Sequence, residues 1–222
     1  MKVPLWKKCL SYLWELPVES VEGKAGLTLH VCLSRGRFQL FTGKAIYSFG
    51  DLYYNFYKAF KVIKIRKRKI ENVLLLGLGL GSIPIILERK FNIRGHYTGV
   101  EWDEQVLYLA EKYVLHKLRS PMTMIVSDAA LFVQDHRESY DLICMDVFVE
   151  DKTPEIFHNP PFLKDLHALL KPDAVVLFNC LYRNEKDISQ TNAFFINHFQ
   201  QYFSDTKKCI IKGSCILIGY HQ

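Results

Sequence analysis

Apolar residues in this chain come in short unbroken runs, and between the runs they space out at every third or fourth position. Val73-Leu74-Leu75-Leu76 is one run, Tyr97–Val100 a second, Asp141–Met145 a third after its first residue, and Ala174–Asn179 a fourth. Runs this short and this apolar fit strands buried on both faces, as in a parallel sheet. The stretches between them read as helices with one inner side. Asp103 caps a helix running to about His116, with Val106, Leu109, Ala110 and Tyr113 facing inward. Met122–Val126 is a further strand, followed by a short helix from Ala129; Pro160–Leu170 and Ser189–Tyr202 are helical. Strands alternating with helices imply a mostly parallel sheet with right-handed crossovers. The terminal hairpin, Lys208–Ile211 and Cys215–Gly219 around Lys212-Gly213-Ser214, reverses one strand.

The beginning of the chain reads differently. Residues up to about 47 are β in character, with Leu27–Leu33 and Arg37–Phe41 flanking a Ser34-Arg35-Gly36 turn. Gly50–Ile65 then looks helical, with a core-like stripe of Tyr53, Tyr54, Phe56, Tyr57 and Phe60. The division expected is a β-hairpin appendage over 1–49, a linking helix with a basic end over 50–71, and a nucleoside-binding unit over 72–222.

The candidate chemistry starts where the first strand ends. Gly77, Gly79 and Gly81 alternate, Ser82 is placed to cap the next helix, and Pro84 sits in its first turn. The second strand ends in Glu101. Strand, glycine turn, helix, strand and terminal acid form the nucleotide-binding half of a βαβ fold. The glycines admit a ligand close to the backbone, and the acid accepts hydrogen bonds from ribose hydroxyls. A dinucleotide loop needs glycine at position 82, where this chain has serine, so the pattern suits an adenosine-type ligand without a pyrophosphate. Ligands of open α/β sheets sit beyond the C-terminal strand ends. Asp128 and Asp146 end two more strands there, although Asp128 is also placed to cap the helix from Ala129. Glu101, at a strand end, is expected to be dispensable for folding.

Composition narrows the class. A chain of 222 residues with 49% apolar and 23% charged residues is an ordinary globular protein of one main domain. The longest apolar stretch, Val73–Leu87, is broken by glycines and a proline, and no membrane span or signal peptide is expected. The cysteines form no C-x-x-C pair, which fits a reducing, cytoplasmic compartment, and the histidines lack metal-ligand spacing, so no metal is expected. The net charge of +6 is concentrated in Lys58, Lys61, Lys64, Arg66, Lys67, Arg68 and Lys69. With few aromatics or glycines among them, these read as the solvated end of a helix, without specific nucleic-acid binding.

The Gly77–Gly81 loop with Glu101, Asp128-Ala129 and the reversed last strand resembles the S-adenosylmethionine-dependent methyltransferases, and within them the spermidine-synthase-like group. The resemblance implies a Rossmann-like methyltransferase fold: a mostly parallel seven-stranded sheet with a reversed C-terminal strand, plus a small N-terminal β appendage. It implies S-adenosylmethionine, or its decarboxylated form, as cofactor. Gly77, Gly79, Gly81, Glu101, Asp128 and Ala129 would hold it, Glu101 at the ribose and Asp128-Ala129 at the adenine. Asp146 matches the first acid of the polyamine-synthase D-x-x-D-P motif and would orient the attacking group and take up its proton. Gly36–Phe41, Ala45–Ser48 and Asp51–Tyr53 look like the part of polyamine synthases that closes over the substrate, making Tyr47, Asp51 and Tyr53 candidates there, with Glu150 and Asp151 in the loop after Asp146.

The chain also departs from that pattern. Leu80 and Leu75 stand where polyamine synthases and many methyltransferases carry the acid for the ligand's amino group, and Val149 stands at the second acid of the motif. The implied function is a transferase, most readily a methyltransferase acting on a small-molecule acceptor, an amine among the candidates. Aminopropyl transfer and a silent adenosine-binding protein are the alternatives. Oligomeric state is open, a homodimer included.

Overall fold

The computed structural model describes residues 3–43, 46–48, 50–148 and 152–221. Its centre is a seven-stranded sheet in the order β10-β11-β9-β8-β5-β6-β7. The strands are β5 (Asn72–Leu76), β6 (His96–Glu101), β7 (Met122–Val126), β8 (Tyr140–Met145), β9 (Leu170–Tyr182), β10 (Ser204–Ile211) and β11 (Gly213–Tyr220). Only β11 runs against the others, pairing antiparallel with both β9 and β10. From β5 the chain winds outward to β6 and β7, then returns to lay β8 against the other side of β5. The strand order therefore reverses between β5 and β8, where open α/β sheets open a crevice at their C-terminal ends.

Both faces of the sheet are covered, which is why its strands read as unbroken apolar runs. On one face α2 (Tyr54–Val62), α3 (Ser82–Phe91) and α4 (Glu104–Tyr113) pack over Val73, Leu75, Cys144 and Leu177. On the other, α5 (Ala129–Asp135), α6 (Pro160–Ala168) and α7 (Glu185–Phe194) cover Leu74, Leu76, Ile143 and Phe178. Fully burying one such side chain contributes about 1.5–3 kcal/mol.

The N-terminal strands β1 (Leu16–Glu22), β2 (Thr28–Ser34), β3 (Arg37–Phe41) and β4 (Ile46–Ser48) form a second, antiparallel sheet. Leu29, Val31 and Leu33 of β2 alternate inward with a period of two and join the same core as α2, α3 and α4. The appendage thus shares its core with the larger sheet.

Several local expectations differ from the structure. Ser82 does not cap α3: Gly81 takes the N-cap position at φ +83°, and a Cβ there would lie 2.4 Å from Leu115 Cδ2. The helix expected over Pro160–Leu170 stops at Ala168 because Leu170 already belongs to β9. The last helix starts earlier than its apolar pattern, at Glu185. There Asn184 Oδ1 accepts the Asp187 N–H at 3.0 Å, and a π-helical turn at Phe195–Phe199 interrupts the helix before Gln200–Tyr202. A short α1 (Leu5–Leu10) precedes the β region, with no buried residue to have signalled it. No helix among the described residues is long and apolar enough to cross a membrane.

Candidate active site

Two strand ends meet at the reversal point. Gly77 leaves β5 at φ +81°, and a Cβ on it would lie 2.3 Å from the Asp146 carbonyl oxygen. Only glycine fits, because the obstacle is backbone and cannot swing aside. The Asp146 N–H donates to the Leu76 carbonyl at 2.8 Å, locking the end of β8 against the end of β5.

Glu101, at the end of β6, is buried and faces the glycine loop. Its Oε2 accepts the N–H groups of Leu78 at 3.2 Å and Gly79 at 3.1 Å, and its Oε1 that of Trp102 at 3.0 Å. Burial raises its pKa, and these amides, with that of Asp103, oppose the rise. The acid therefore organises the loop it was expected only to face. Without it, two amides of the loop lose their acceptor. Oε1 has one further contact, a long 3.5 Å approach from the Asp103 N–H, which leaves it room for a ligand hydroxyl.

Asp128 does cap its helix. Its Oδ1 accepts the N–H groups of Ala130 at 2.7 Å and Leu131 at 3.2 Å. The residue is exposed, and Oδ2 has no protein partner among the described residues, so capping leaves one oxygen for an exocyclic amine. Ala129 beside it is buried.

Asp146 holds the most perturbed carboxyl of the cleft. The Tyr53 hydroxyl donates to Oδ1 at 3.0 Å, and Asn179 Nδ2 donates to the same oxygen at 2.8 Å. Asn179 Nδ2 also lies 3.2 Å from the Tyr53 oxygen, and Ser214 Oγ donates to Asn179 Oδ1, fixing which way the amide points. By surface area Asp146 is half-buried, but protein crowds its carboxyl. This desolvation outweighs the two donors and raises the pKa to about 6. Burial, then the Asp146 charge, pushes the Tyr53 phenol well up, so it remains a donor.

Of the substrate-side candidates, the structure brings Tyr53 to Asp146 and takes Asp51 elsewhere. The Asp51 side chain is 8% exposed and accepts from Arg37 Nε at 2.6 Å and Lys90 Nζ at 3.1 Å. The Arg37 hydrogen bond leads in lowering its pKa to about 2. Asp51 is an anion that joins β3 to α3. Tyr47 lies on β4, with its side chain outside the described residues, as are Glu150 and Asp151 altogether. Leu75 and Leu80 are both in the core, at 1% and 0% exposure.

Sequence reasoning missed Asn179 and Ser214. The signal for the first was present: Asn179 is the single polar residue in the run Val175–Leu181, where a buried amide requires a partner. Ser214, placed in a hairpin turn by its neighbours, is buried beside it through the pairing of β11 with β9. Among the described residues, no group of three or more His, Cys, Asp or Glu is arranged to hold a metal ion.

Comparison with known proteins bears on this geometry. The family model for the spermine/spermidine synthase domain matches residues 61–213. An N-terminal histidine N-methyltransferase of Emericella nidulans is 35% identical over 116 residues, which is 49% of this chain and 19% of that protein. A polyamine aminopropyltransferase of Vibrio vulnificus is 26% identical over 139 residues, 61% of this chain and 46% of that one. The chain thus spans less than half the length of these curated relatives. Among solved structures, a probable spermidine synthase from Corynebacterium glutamicum superposes with a TM-score of 0.74 at 15% identity, over 91% of this chain and 80% of that one. Human methyltransferase-like protein 13 in complex with SAH gives 0.64 at 20% identity, over 76% and 82%. At these identities the structural likeness speaks for the fold.

Proposed function

Because the chain belongs to the spermine/spermidine synthase domain family, we propose that it is an S-adenosylmethionine-dependent transferase, and specifically a methyltransferase with a nitrogen-bearing acceptor. One observation carries this reading: a carboxyl at the sheet's reversal point, with its pKa raised to about 6 and three polar side chains arranged around it. A base of that strength is largely ionised at neutral pH yet basic enough to receive a proton from a protonated amine or imidazole in the cleft.

The residues fit the cofactor. The Gly77–Gly81 turn, with Gly77 flush against the Asp146 backbone, brings main chain without a side chain to the C-terminal end of β5, where a ligand could approach it closely. Glu101 would hold the ribose hydroxyls and the free Oδ2 of Asp128 the adenine amine, with Ala129 beside the ring. When bound, S-adenosylmethionine supplies a carbon attached to a sulfonium, already a good leaving group. What remains for the chain is to orient the acceptor, hold its lone pair toward the cleft and take its proton. Asp146 would take that proton at Oδ2, since Oδ1 is held by Tyr53 and Asn179. The assignment groups the binding unit in 72–222 and draws Tyr53 from the linking segment 50–71, with 1–49 as the appendage.

Aminopropyl transfer is the second reading, favoured by the family and by the Tyr53–Asp146 pair. Against it stands Val149 at the second acid of the polyamine-synthase motif, which leaves the far ammonium of a diamine without its usual carboxylate, and an ammonium buried unpaired costs several kcal/mol; Leu75 and Leu80 withhold the amino-group partner from either donor. Calorimetry with S-adenosylmethionine, its decarboxylated form and methylthioadenosine, followed by a putrescine assay, separates the readings. Tight binding of the first with no spermidine formed supports methyl transfer. Spermidine formation abolished by Asp146→Asn would establish the second reading instead. Equal, weak binding of all three would leave a silent adenosine-binding fold.

A further inference from the structure

A second cavity lies away from the glycine loop, and none of its lining residues belongs to the catalytic cleft. It is an open concavity of about 510 Å3 between α1, the β2–β3 turn, the Gly50–Leu52 turn, α3 and the segment after α4. Its walls carry Lys8, Arg37, Arg89, His116 and Lys117, and their one acid is Asp51. Asp51 is already engaged by Arg37 and Lys90. The remaining cations therefore face the cavity without a counter-charge from its walls.

Their individual contacts sharpen the point. Lys117 lies 4.9 Å from the Phe38 ring centre, and its Nζ donates to the Tyr113 carbonyl at 2.6 Å, so helix-end neutralisation accounts for part of its placement. Lys8 and Arg89 lie in the last turns of α1 and α3, and their side chains make no hydrogen bond or ion pair among the described residues. Burial, then Arg89 and Lys8, pushes the Lys117 ammonium down from its ordinary pKa, so the three groups share one field. Like charges gathered in a concavity are unfavourable unless an anion enters it.

We propose that this cavity is a binding site for a compact polyphosphate-bearing small molecule, separate from the transferase cleft. Its volume lies within the range of roughly 300–1,000 Å3 that holds small ligands. Val3, Phe38, Ile85 and Val114 give it an apolar floor on which a non-phosphate moiety would rest. Arg89 presents a planar fork of donors and the lysines mobile point charges, a combination suited to several phosphate oxygens at once. The cavity's cations gather round one concavity rather than along a stripe, an arrangement that favours a compact anion over a nucleic-acid backbone. The site joins Lys8 of the N-terminal segment to Arg89 and Lys117 of the larger unit, so an occupant would tie the two together.

The test is titration of inorganic tripolyphosphate into the full chain by calorimetry at about 0.15 M salt, where diffuse surface attraction is largely screened. We expect saturable binding at one site. Arg89→Ala and Lys117→Ala each weaken it by roughly tenfold or more, as expected for losing a charged hydrogen-bonding group. Arg89→Lys weakens it less, and Lys67→Ala, on the exposed basic stretch, leaves it unchanged. Binding of S-adenosylhomocysteine by the Arg89 and Lys117 variants stays at its wild-type level, which also reports that they are folded. Absence of saturable binding at this salt overturns the proposal. So does equal weakening by Lys67→Ala, or a short RNA duplex that outcompetes tripolyphosphate through Arg89 and Lys117.

Discussion

Replacing Asp146 by asparagine should make the protein more stable and remove its activity. The carboxyl has its pKa raised from 3.8 to about 6, a shift of about two units. At about 1.36 kcal/mol per unit, ionising it in the folded protein costs up to about 3 kcal/mol relative to the unfolded chain. The sign follows from the direction of the shift. Between pH 4 and 6 the folded state holds a proton that the unfolded state has released, so the wild type loses stability as pH rises through that window. Asparagine carries no charge, and its Oδ1 still accepts from Tyr53 and Asn179, so the variant lacks this loss. The difference in stability between variant and wild type should be near zero at pH 4, open through pH 6 and reach about 1–3 kcal/mol at pH 7. For a chain of this size that corresponds to roughly 2–4 °C of melting temperature per kcal/mol. Measuring both proteins across pH by denaturant unfolding isolates Asp146, since every other titrating group cancels in the difference. A variant less stable than wild type at pH 7, or a difference that does not change with pH, would refute the reasoning. An acid retained at such a cost is the mark of a working site.

Gly77→Ala should destabilise the protein by at least about 2 kcal/mol and displace Asp146, because both the positive φ and the 2.3 Å approach to its carbonyl forbid a Cβ; unfolding and S-adenosylhomocysteine titration check it. Glu101→Gln should weaken adenosine-ligand binding by about 1.5–3 kcal/mol and speed amide exchange at Leu78 and Gly79, since the new amide group faces donors in place of an acceptor. Unchanged exchange at those two amides would count against the loop-organising role. Asp51→Asn should lose about 1–2 kcal/mol at pH 7 after allowance for solvent at Arg37 and Lys90; because this acid's pKa is depressed to about 2, its contribution is present above pH 4 and fades as pH falls toward 2. Arg68→Ala should cost about 1 kcal/mol where Lys67→Ala is neutral, since Arg68 donates to the Ile63 and Asp173 carbonyls and covers the Tyr220 ring.

That last contrast marks a limit of reading charge from sequence. Arg66, Lys67, Arg68 and Lys69 look alike as a solvated run, and only tertiary structure makes Arg68 a tie between the end of α2 and the start of β9. The central strands were legible because burial on both faces leaves an apolar run that little else in a soluble chain produces. β1 was not, since it lies at a sheet edge, its positions are half-buried or exposed, and Glu19 and Glu22 break any clean alternation. The Gly77–Glu101 half of the site was legible because its spacing is local to one βαβ unit. The ion pairs of Asp51 were not legible because its partners arrive from β3 and from the far end of α3, which no local spacing reveals. Asp146 could be found at a strand end, but the groups that set its pKa come from three other segments of the chain.

Those segments also fix an order of events during synthesis. Tyr53, Asp146 and Asn179 leave the ribosome well before Ser214, which arrives on the reversed strand that pairs with β9. Until that strand inserts, the Asn179 amide has nothing to hold its oxygen and can turn either end toward the carboxylate. A nascent chain that has already folded its glycine loop therefore still lacks a fixed donor to Asp146 from Asn179. The orientation of that amide is set only when β11 inserts against β9 rather than growing in proportion to the length made, and a chain cut short before Ser214 would have a ligand crevice whose Asn179 amide is unset.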